Sequence, residues 1–182
     1  MGGELAVTRE DWIAKAAPDS FGVEIGVLEG EFSQVILSHN PRKLVLVDAW
    51  LHFESGYADP ANVNQGGQDA RFRRVTQRFA NDPRVAIVRS LSRSDEIVPA
   101  LRDGPDWIYI DANHAEEECY QDLCFYSQFS PMIAAHDYIP DDNHLGFGVR
   151  RAVERFLEFG GWVINLITEE DFPTVVLKKK LV

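Results

Sequence analysis

His114 stands three residues after Asp111 in the run Asp111-Ala112-Asn113-His114, which puts an anion and an imidazole at the end of the apolar stretch Asp106–Ile110. Histidine, with an unperturbed pKa of about 6.5, can take a proton near neutrality, so the pair reads as a general base, His114, beside a carboxylate, Asp111. A hydrogen-bonding or capping histidine is the competing reading. A second polar tip, His136-Asp137-Tyr138, closes the apolar stretch Met132–Ala135. If the two stretches are neighbouring strands, Asp111 and the His136-Asp137 pair converge, and carboxylates that close together share a proton or hold a cation. Asp111, Asp137 and His136 are therefore candidate metal ligands. Whether His136-Asp137 or Asp137-Tyr138 faces the metal stays open; tyrosine is a poor ligand for a hard cation, and histidine tilts the preference from Mg²⁺ toward Mn²⁺, Zn²⁺ or Ni²⁺.

Phe21-Gly22-Val23-Glu24-Ile25-Gly26-Val27-Leu28-Glu29-Gly30 carries a different chemistry. Residues 21–27 read as a short buried strand, and Glu31–His39 has apolar residues at helical spacing, so the glycines fall in a strand-to-helix turn. The next strand, Lys43–Val47, ends in Asp48, about 20 residues beyond the glycines, where a carboxylate can accept both hydroxyls of an adenosine ribose. Glycines and acids after strands are also ordinary turn punctuation. The dinucleotide pattern G-x-G-x-x-G fails, because Leu28 and Glu31 occupy the second and third glycine positions. A pyrophosphate would meet Glu29 and Glu31 at a helix N-terminus that otherwise favours anions. NAD and FAD are disfavoured by that charge, whereas S-adenosylmethionine, a nucleoside with a positive centre and no phosphate, is not.

Several elements must position these groups. Thr8 with Asp11 signals a helix start, giving a short N-terminal helix within residues 1–19. Residues 50–68, with Trp50, His52, Phe53, Tyr57, Pro60 and Gly66-Gly67, read as a substrate-side loop leaving the carboxyl end of a strand. Asp69–Ala80 is an amphipathic helix with Phe72, Val75 and Phe79 inward and its arginines outward. Arg84–Arg89 is a strand ending in Ser90-Leu91-Ser92, followed by a helix over Asp95–Arg102. Ala115–Phe129 and Val149–Phe159 are helices, and Trp162–Ile167 and Thr174–Leu177 are strands whose short connection makes them antiparallel. The expected fold is α/β: a doubly wound, Rossmann-like sheet of about seven strands, mostly parallel with an antiparallel C-terminal strand, in a single domain spanning 1–182.

The formal charge of −11 leaves no basic stripe, so a nucleic-acid groove is not expected. Cys119 and Cys124 read as unpaired thiols in a reducing compartment. No apolar run approaches the length of a membrane span and no signal peptide is evident, so the expectation is a cytoplasmic protein with no membrane partner.

The order Glu24-Ile25-Gly26 with Gly30, Asp48, then Ile110-Asp111-Ala112-Asn113-His114 and His136-Asp137-Tyr138 resembles class I S-adenosylmethionine-dependent methyltransferases. The nearest likeness is to the small bacterial family that includes macrocin-type sugar O-methyltransferases, with a more distant likeness to catechol O-methyltransferases. The resemblance implies a methionine pocket shaped by Glu24, Gly26 and Gly30, a ribose held by Asp48, an adenine bordered by Ser90, Leu91 and Ser92, and Asp111 touching the cofactor. It also implies methyl transfer to a small-molecule acceptor, most naturally a hydroxyl. His114 falls at the offset where catechol-type enzymes place a lysine base, and Mg²⁺ or another divalent cation near Asp111 would lower the acceptor's pKa. The chain departs from the family's paired Asp-Asp or Asp-Asn at the second tip, and Phe129-Ser130-Pro131-Met132 replaces the usual proline-glycine-glycine approach. A nucleotide-dependent oxidoreductase and a non-catalytic nucleoside-binding or assembly protein are the rival classes. A homo-oligomer in which a partner subunit roofs the site is compatible with the short N-terminal segment.

Overall fold

In the computed structural model, which describes residues 7–55 and 59–180, seven strands form one sheet in the order β3-β2-β1-β4-β5-β7-β6. The elements are α1 (Arg9–Ala16), β1 (Phe21–Ile25), α2 (Glu31–Ser38), β2 (Lys43–Asp48), α3 (Gln65–Phe79), β3 (Val85–Arg89), α4 (Val98–Leu101), β4 (Trp107–Ile110), α5 (Glu116–Tyr126), β5 (Met132–Ala135), α6 (Val149–Glu158), β6 (Trp162–Ile167) and β7 (Val175–Lys179). β1 to β5 run parallel, and β7 inserts antiparallel between β5 and β6. The expected mostly parallel sheet with an antiparallel C-terminal strand is the observed one.

Alternation along each strand sorts side chains between two cores. Val23, Ile25, Val45, Val47, Ile108 and Ile110 face one way, against α4, α5 and α6. Leu44, Leu46, Trp107 and Tyr109 face the other, against α1, α2 and α3. Covered on both faces, β1 and β4 are buried throughout and read as near-continuous apolar runs. α1 docks through Trp12, which stacks on Tyr109 with ring centroids 6.3 Å apart. Its start is fixed by a capping box: Thr8 Oγ1 accepts from Asp11 N while Asp11 Oδ2 accepts from Thr8 N.

Two local readings are corrected. Gly66 and Gly67 are not loop residues: α3 begins at Gln65, because Asn64 Oδ1 accepts from Gly67 N at 3.0 Å and caps the helix. The substrate-side loop is accordingly shorter, and Tyr57 within it lies outside the described residues. Arg71 is not outward either. Its Nη1 donates to Ala61 O at 2.5 Å, so it pins the loop from inside α3. Strand and helix ends elsewhere move by a few residues, most at α4, where only Val98–Leu101 is helical.

Candidate active site

β1 ends when Gly26 N donates to Val47 O and the chain turns with φ +87°. A Cβ at Gly26 would lie 1.8 Å from Asp111 O, so only glycine lets the β1 and β4 tips approach this closely. Gly30 caps α2 from the left-handed region, φ +79°, with Phe79 against it. It does not line the cleft described below, so its part in the expected methionine pocket is confined to shaping the turn.

Asp48 organises that turn. Its Oδ2 accepts from Val27 N and Leu28 N, both at 2.9 Å, and its Oδ1 accepts from Trp50 N at 2.7 Å. Burial pushes its pKa up, against the pull of these three N–H groups. Much of the carboxylate's capacity is thus spent on backbone before any ribose could meet it.

The turn, Asp48 and the tips of β3 and β4 surround a cleft of about 800 Å³. Glu24, Gly26, Asp48, Ser90, Leu91, Ser92, Asp111 and His114 all line it, which brings most of the expected cofactor and catalytic residues together. Glu24 is buried, with Ser33 Oγ donating to its Oε2 at 2.5 Å, and burial raises its pKa to about 8. Ser92 Oγ donates to Asp122 Oδ1 at 2.7 Å, alongside Arg93, which pairs with both Asp122 and Glu118.

His114 lies among three carboxylates. Its Nε2 is 2.8 Å from Asp137 Oδ2 and 3.4 Å from Asp111 Oδ1, and its Nδ1 is 3.2 Å from Asp59 Oδ2. Phe147 stacks on the ring at 4.2 Å, and Gly148 N donates to His114 O at 2.8 Å. Ionised carboxylates only accept, so both ring nitrogens carry protons. Burial works against that charge, but the hydrogen bonds to Asp111 and Asp137 outweigh it and the pKa rises to about 10. The expectation of a neutral imidazole ready to take a proton near neutrality does not hold in this arrangement. Asp137, at φ +58°, has its pKa lowered: burial opposes ionisation, and the hydrogen bond from His114, with the neighbouring His136 and Arg9, more than compensates.

His136 turns away from this group. Its Nε2 lies 3.2 Å from Arg9 Nη1, and its Nδ1 lies 3.0 Å from Thr174 Oγ1. A guanidinium only donates, so Nε2 accepts and Nδ1–H donates to Thr174. His136 Nε2 also lies 3.6 Å from Asp137 Oδ1. Among the described residues the cluster able to hold a cation is Asp111, His114 and Asp137, with one ligand atom from each lying within 4.8 Å of the others. His136, named as a ligand from sequence, is replaced there by His114. Tyr138 packs against the α5/α6 core and not toward this cluster.

Sequence reasoning missed Arg9 and Asp59. Arg9 reaches the cleft from α1, with Nη1 donating to Tyr109 Oη at 3.3 Å and its guanidinium 4.6 Å above the Phe32 ring. Asp59 sits in the loop after β2, its Oδ1 accepting from Ala61 N. The only local signal was Asp59-Pro60 as turn chemistry, which says nothing of a partner 55 residues away.

A mostly parallel seven-stranded sheet whose cleft opens at the tips of β1, β2 and β4 is the architecture of the class I, Rossmann-like methyltransferases. Residues 23–138 match a family model described as a methyltransferase domain, more than half of the chain, and the chain belongs to that family. It is an S-adenosylmethionine-dependent methyltransferase, and the oxidoreductase alternative falls. No curated protein is similar enough in sequence to count as a match. Among solved structures, the O-methyltransferase NovP superposes with TM-score 0.64 at 16% identity, over 95% of this chain and 80% of NovP. A putative tRNA (m1A22) methyltransferase from Streptococcus pneumoniae, in complex with S-adenosylmethionine, gives 0.60 at 9%, over 98% and 76%. A putative RNA methyltransferase from Pyrococcus horikoshii gives 0.58 at 10%, over 94% and 83%. At these identities the likeness is one of fold.

These neighbours overturn one expectation. Exclusion of nucleic acid, drawn from a net charge of −11, does not stand for a fold shared with RNA methyltransferases, because net charge is a whole-chain quantity. The narrower likeness to macrocin-type enzymes has only NovP on its side. Among the described residues no helix is long and apolar enough to cross a membrane.

Proposed function

We propose that this methyltransferase acts on a hydroxyl group of a small molecule, with the acceptor held between the loop after β2 and the Asp111–His114 tip. The observation that carries this reading is the His114 imidazolium held among Asp59, Asp111 and Asp137 at the cleft. Amines and thiols need little help to attack a sulfonium carbon, whereas a hydroxyl must lose its proton, and acid–base groups of this kind serve that step. Asp111 lines the cleft and makes the longer contact to His114, so it accepts the hydroxyl proton. His114 is the charged partner that positions it, and Asp59 holds the imidazolium from the other side. Glu24, Gly26, Asp48 and Ser90–Ser92 surround the cofactor, whose bound sulfonium supplies the electrophilic methyl group; the cleft's size and acidic lining suit a cationic, phosphate-free nucleoside.

The donor set also fits a divalent cation, with one imidazole nitrogen and two carboxylates from Asp111, His114 and Asp137. Such an ion would supply Lewis acidity to the acceptor oxygen. It must displace the His114 proton, so its affinity rises with pH below about 10. Unpaired Cys119 and Cys124 support a reducing, cytoplasmic setting.

The test is methyl transfer from labelled S-adenosylmethionine to parallel panels of hydroxylated small molecules, amines and RNA, with Mn²⁺ or with chelator. Turnover confined to hydroxyl acceptors supports the reading; turnover on amines or RNA alone overturns it.

A further inference from the structure

β6 is the outer strand of the sheet, paired with β7 on one side and, among the described residues, with no strand on the other. Its sequence, Trp162-Val163-Ile164-Asn165-Leu166-Ile167, contains no charged residue and no proline, two devices that keep an open edge from pairing with another chain. Val163, Ile164 and Ile167 are all exposed. Ile164 and Ile167 pair in register with Leu177 and Val175, so they lie on the α5/α6 side, and alternation puts Val163 on the other. Apolar side chains therefore meet water on both faces of this edge, unlike β1 and β4, which are buried throughout. One register shift, between Ile164 and Leu166, bends the strand near its middle. A second copy of β6, related by a two-fold axis at that point, carries the same bend.

The charges flanking β6 differ in sign at its two ends. Lys178, Lys179 and Lys180 lie beside its first residues, since Trp162 pairs with Lys179 and Val163 with Lys178. Glu169 and Asp171 follow its last residue, in the connection to β7. All five are exposed, and among the described residues none has an ion-pair partner. β6 has 6 residues and is about 20 Å long, so the two groups stand too far apart to neutralise one another within one chain. The apolar surface is divided in the same way. Phe159, 76% exposed, borders a hollow of about 280 Å³ with Trp162 at the lysine end, and exposed Phe172 sits at the acid end.

We propose that β6 pairs antiparallel with β6 of a second copy of this chain, forming a two-fold dimer whose sheet runs through both protomers. Antiparallel self-pairing lays the lysine end of each strand beside the acid end of the other, so each protomer supplies the charge its partner lacks. It also sets the Phe172 end of one protomer against the Phe159 hollow of the other. Parallel pairing, or a partner strand flanked by one sign of charge, would place like charges together at one end. The net charge of −11 repels two copies at long range, so association depends on these local ends. No β6 residue lines the cleft, and β6 stands four strand spacings from β1, about 19 Å. The dimer therefore leaves both clefts open, and it does not rest on the acceptor or cofactor assignments.

The experiment is sedimentation velocity on the full chain at about 1 to 100 μM, with thermal melting of each variant to check folding. Wild type should be dimeric in the upper part of that range. Two variants change only exposed side chains: Lys178→Glu with Lys179→Glu and Lys180→Glu, acidic at both ends, and Glu169→Lys with Asp171→Lys, basic at both ends. Each should weaken self-association by roughly tenfold or more. Mixed in equal amounts, the two should form a heterodimer about as readily as wild type forms its own dimer, because every end then meets its opposite. Ile164→Lys, which puts a charge on the edge strand itself, should leave a monomer. A wild type that stays monomeric at about 100 μM overturns the proposal. So does a dimer that both charge variants leave intact, and so does a mixture in which the two variants, folded, remain apart.

Discussion

His114 Nε2 lies 2.8 Å from Asp137 Oδ2, a contact that ties the β4 tip to the β5 tip and, together with the hydrogen bond to Asp111, raises the pKa of the histidine. Its pKa of about 10 in the fold stands above the 6.5 of an unperturbed imidazole. A raised pKa contributes stability that is fully present below about pH 6.5 and is lost as pH rises through about 10. In chelator, the stability gap between wild type and His114→Gln should be widest below pH 6.5 and close toward pH 10. Urea denaturation across that range measures it; a gap that does not change with pH would show a neutral ring.

Asp111→Asn should lower kcat by roughly 100-fold or more, since removal of a general base costs on that order, with a much smaller change in the KM for S-adenosylmethionine. Steady-state kinetics on a responsive hydroxyl acceptor reads both. A loss confined to KM would move Asp111 from proton transfer to cofactor binding alone.

Glu24 gives the opposite dependence to an ordinary surface acid. Its folded pKa of about 8, raised by burial, exceeds the 4.5 of an ordinary glutamate carboxyl, so the fold keeps a proton that the unfolded chain releases. Stability is greatest below pH 4.5 on this account and falls as pH rises to about 8. Glu24→Gln should remove that fall in the ligand-free protein. Melting curves at pH 5 and pH 8.5 for both proteins make the comparison.

Asp48→Ala strips the acceptors from the backbone N–H groups of Val27, Leu28 and Trp50. Loss of the part-buried partners of Val27 N and Trp50 N costs up to about 1–3 kcal/mol each, that of the exposed Leu28 N less, so melting temperature and cofactor affinity should fall together, affinity by roughly tenfold or more. Unchanged S-adenosylhomocysteine binding would count against the whole placement of the cofactor at this turn.

Gly26→Ala drives a Cβ to 1.8 Å from Asp111 O at a φ of +87°, and should cost at least about 2 kcal/mol and disturb the β4 tip. Gly104→Ala is the control. Gly104 also has a positive φ, +68°, but a Cβ there meets nothing within 4 Å, so only the backbone strain of about 1 kcal/mol applies. Thermal melting of the two variants separates close approach from conformation.

Alternation of apolar residues, the glycine turn after Phe21–Ile25, and polar tips ending Trp107–Ile110 and Met132–Ala135 were enough to read the parallel α/β sheet, its reversed C-terminal strand and the methyltransferase resemblance. Those features are local: a strand's period and a turn's glycine requirement depend on residues a few positions apart. The start of α3 was misread because Gly66-Gly67 is loop-like by composition, and only the Asn64 cap makes it helical. The charge on His114, the turning of His136 toward Arg9 and Thr174, and the reach of Arg9 to the Tyr109 hydroxyl were decided by tertiary structure alone. A protonation state or a side chain's partner is set by neighbours in space, and here they lie 55 residues away for Asp59 and His114, 100 for Arg9 and Tyr109, and 127 for Arg9 and His136.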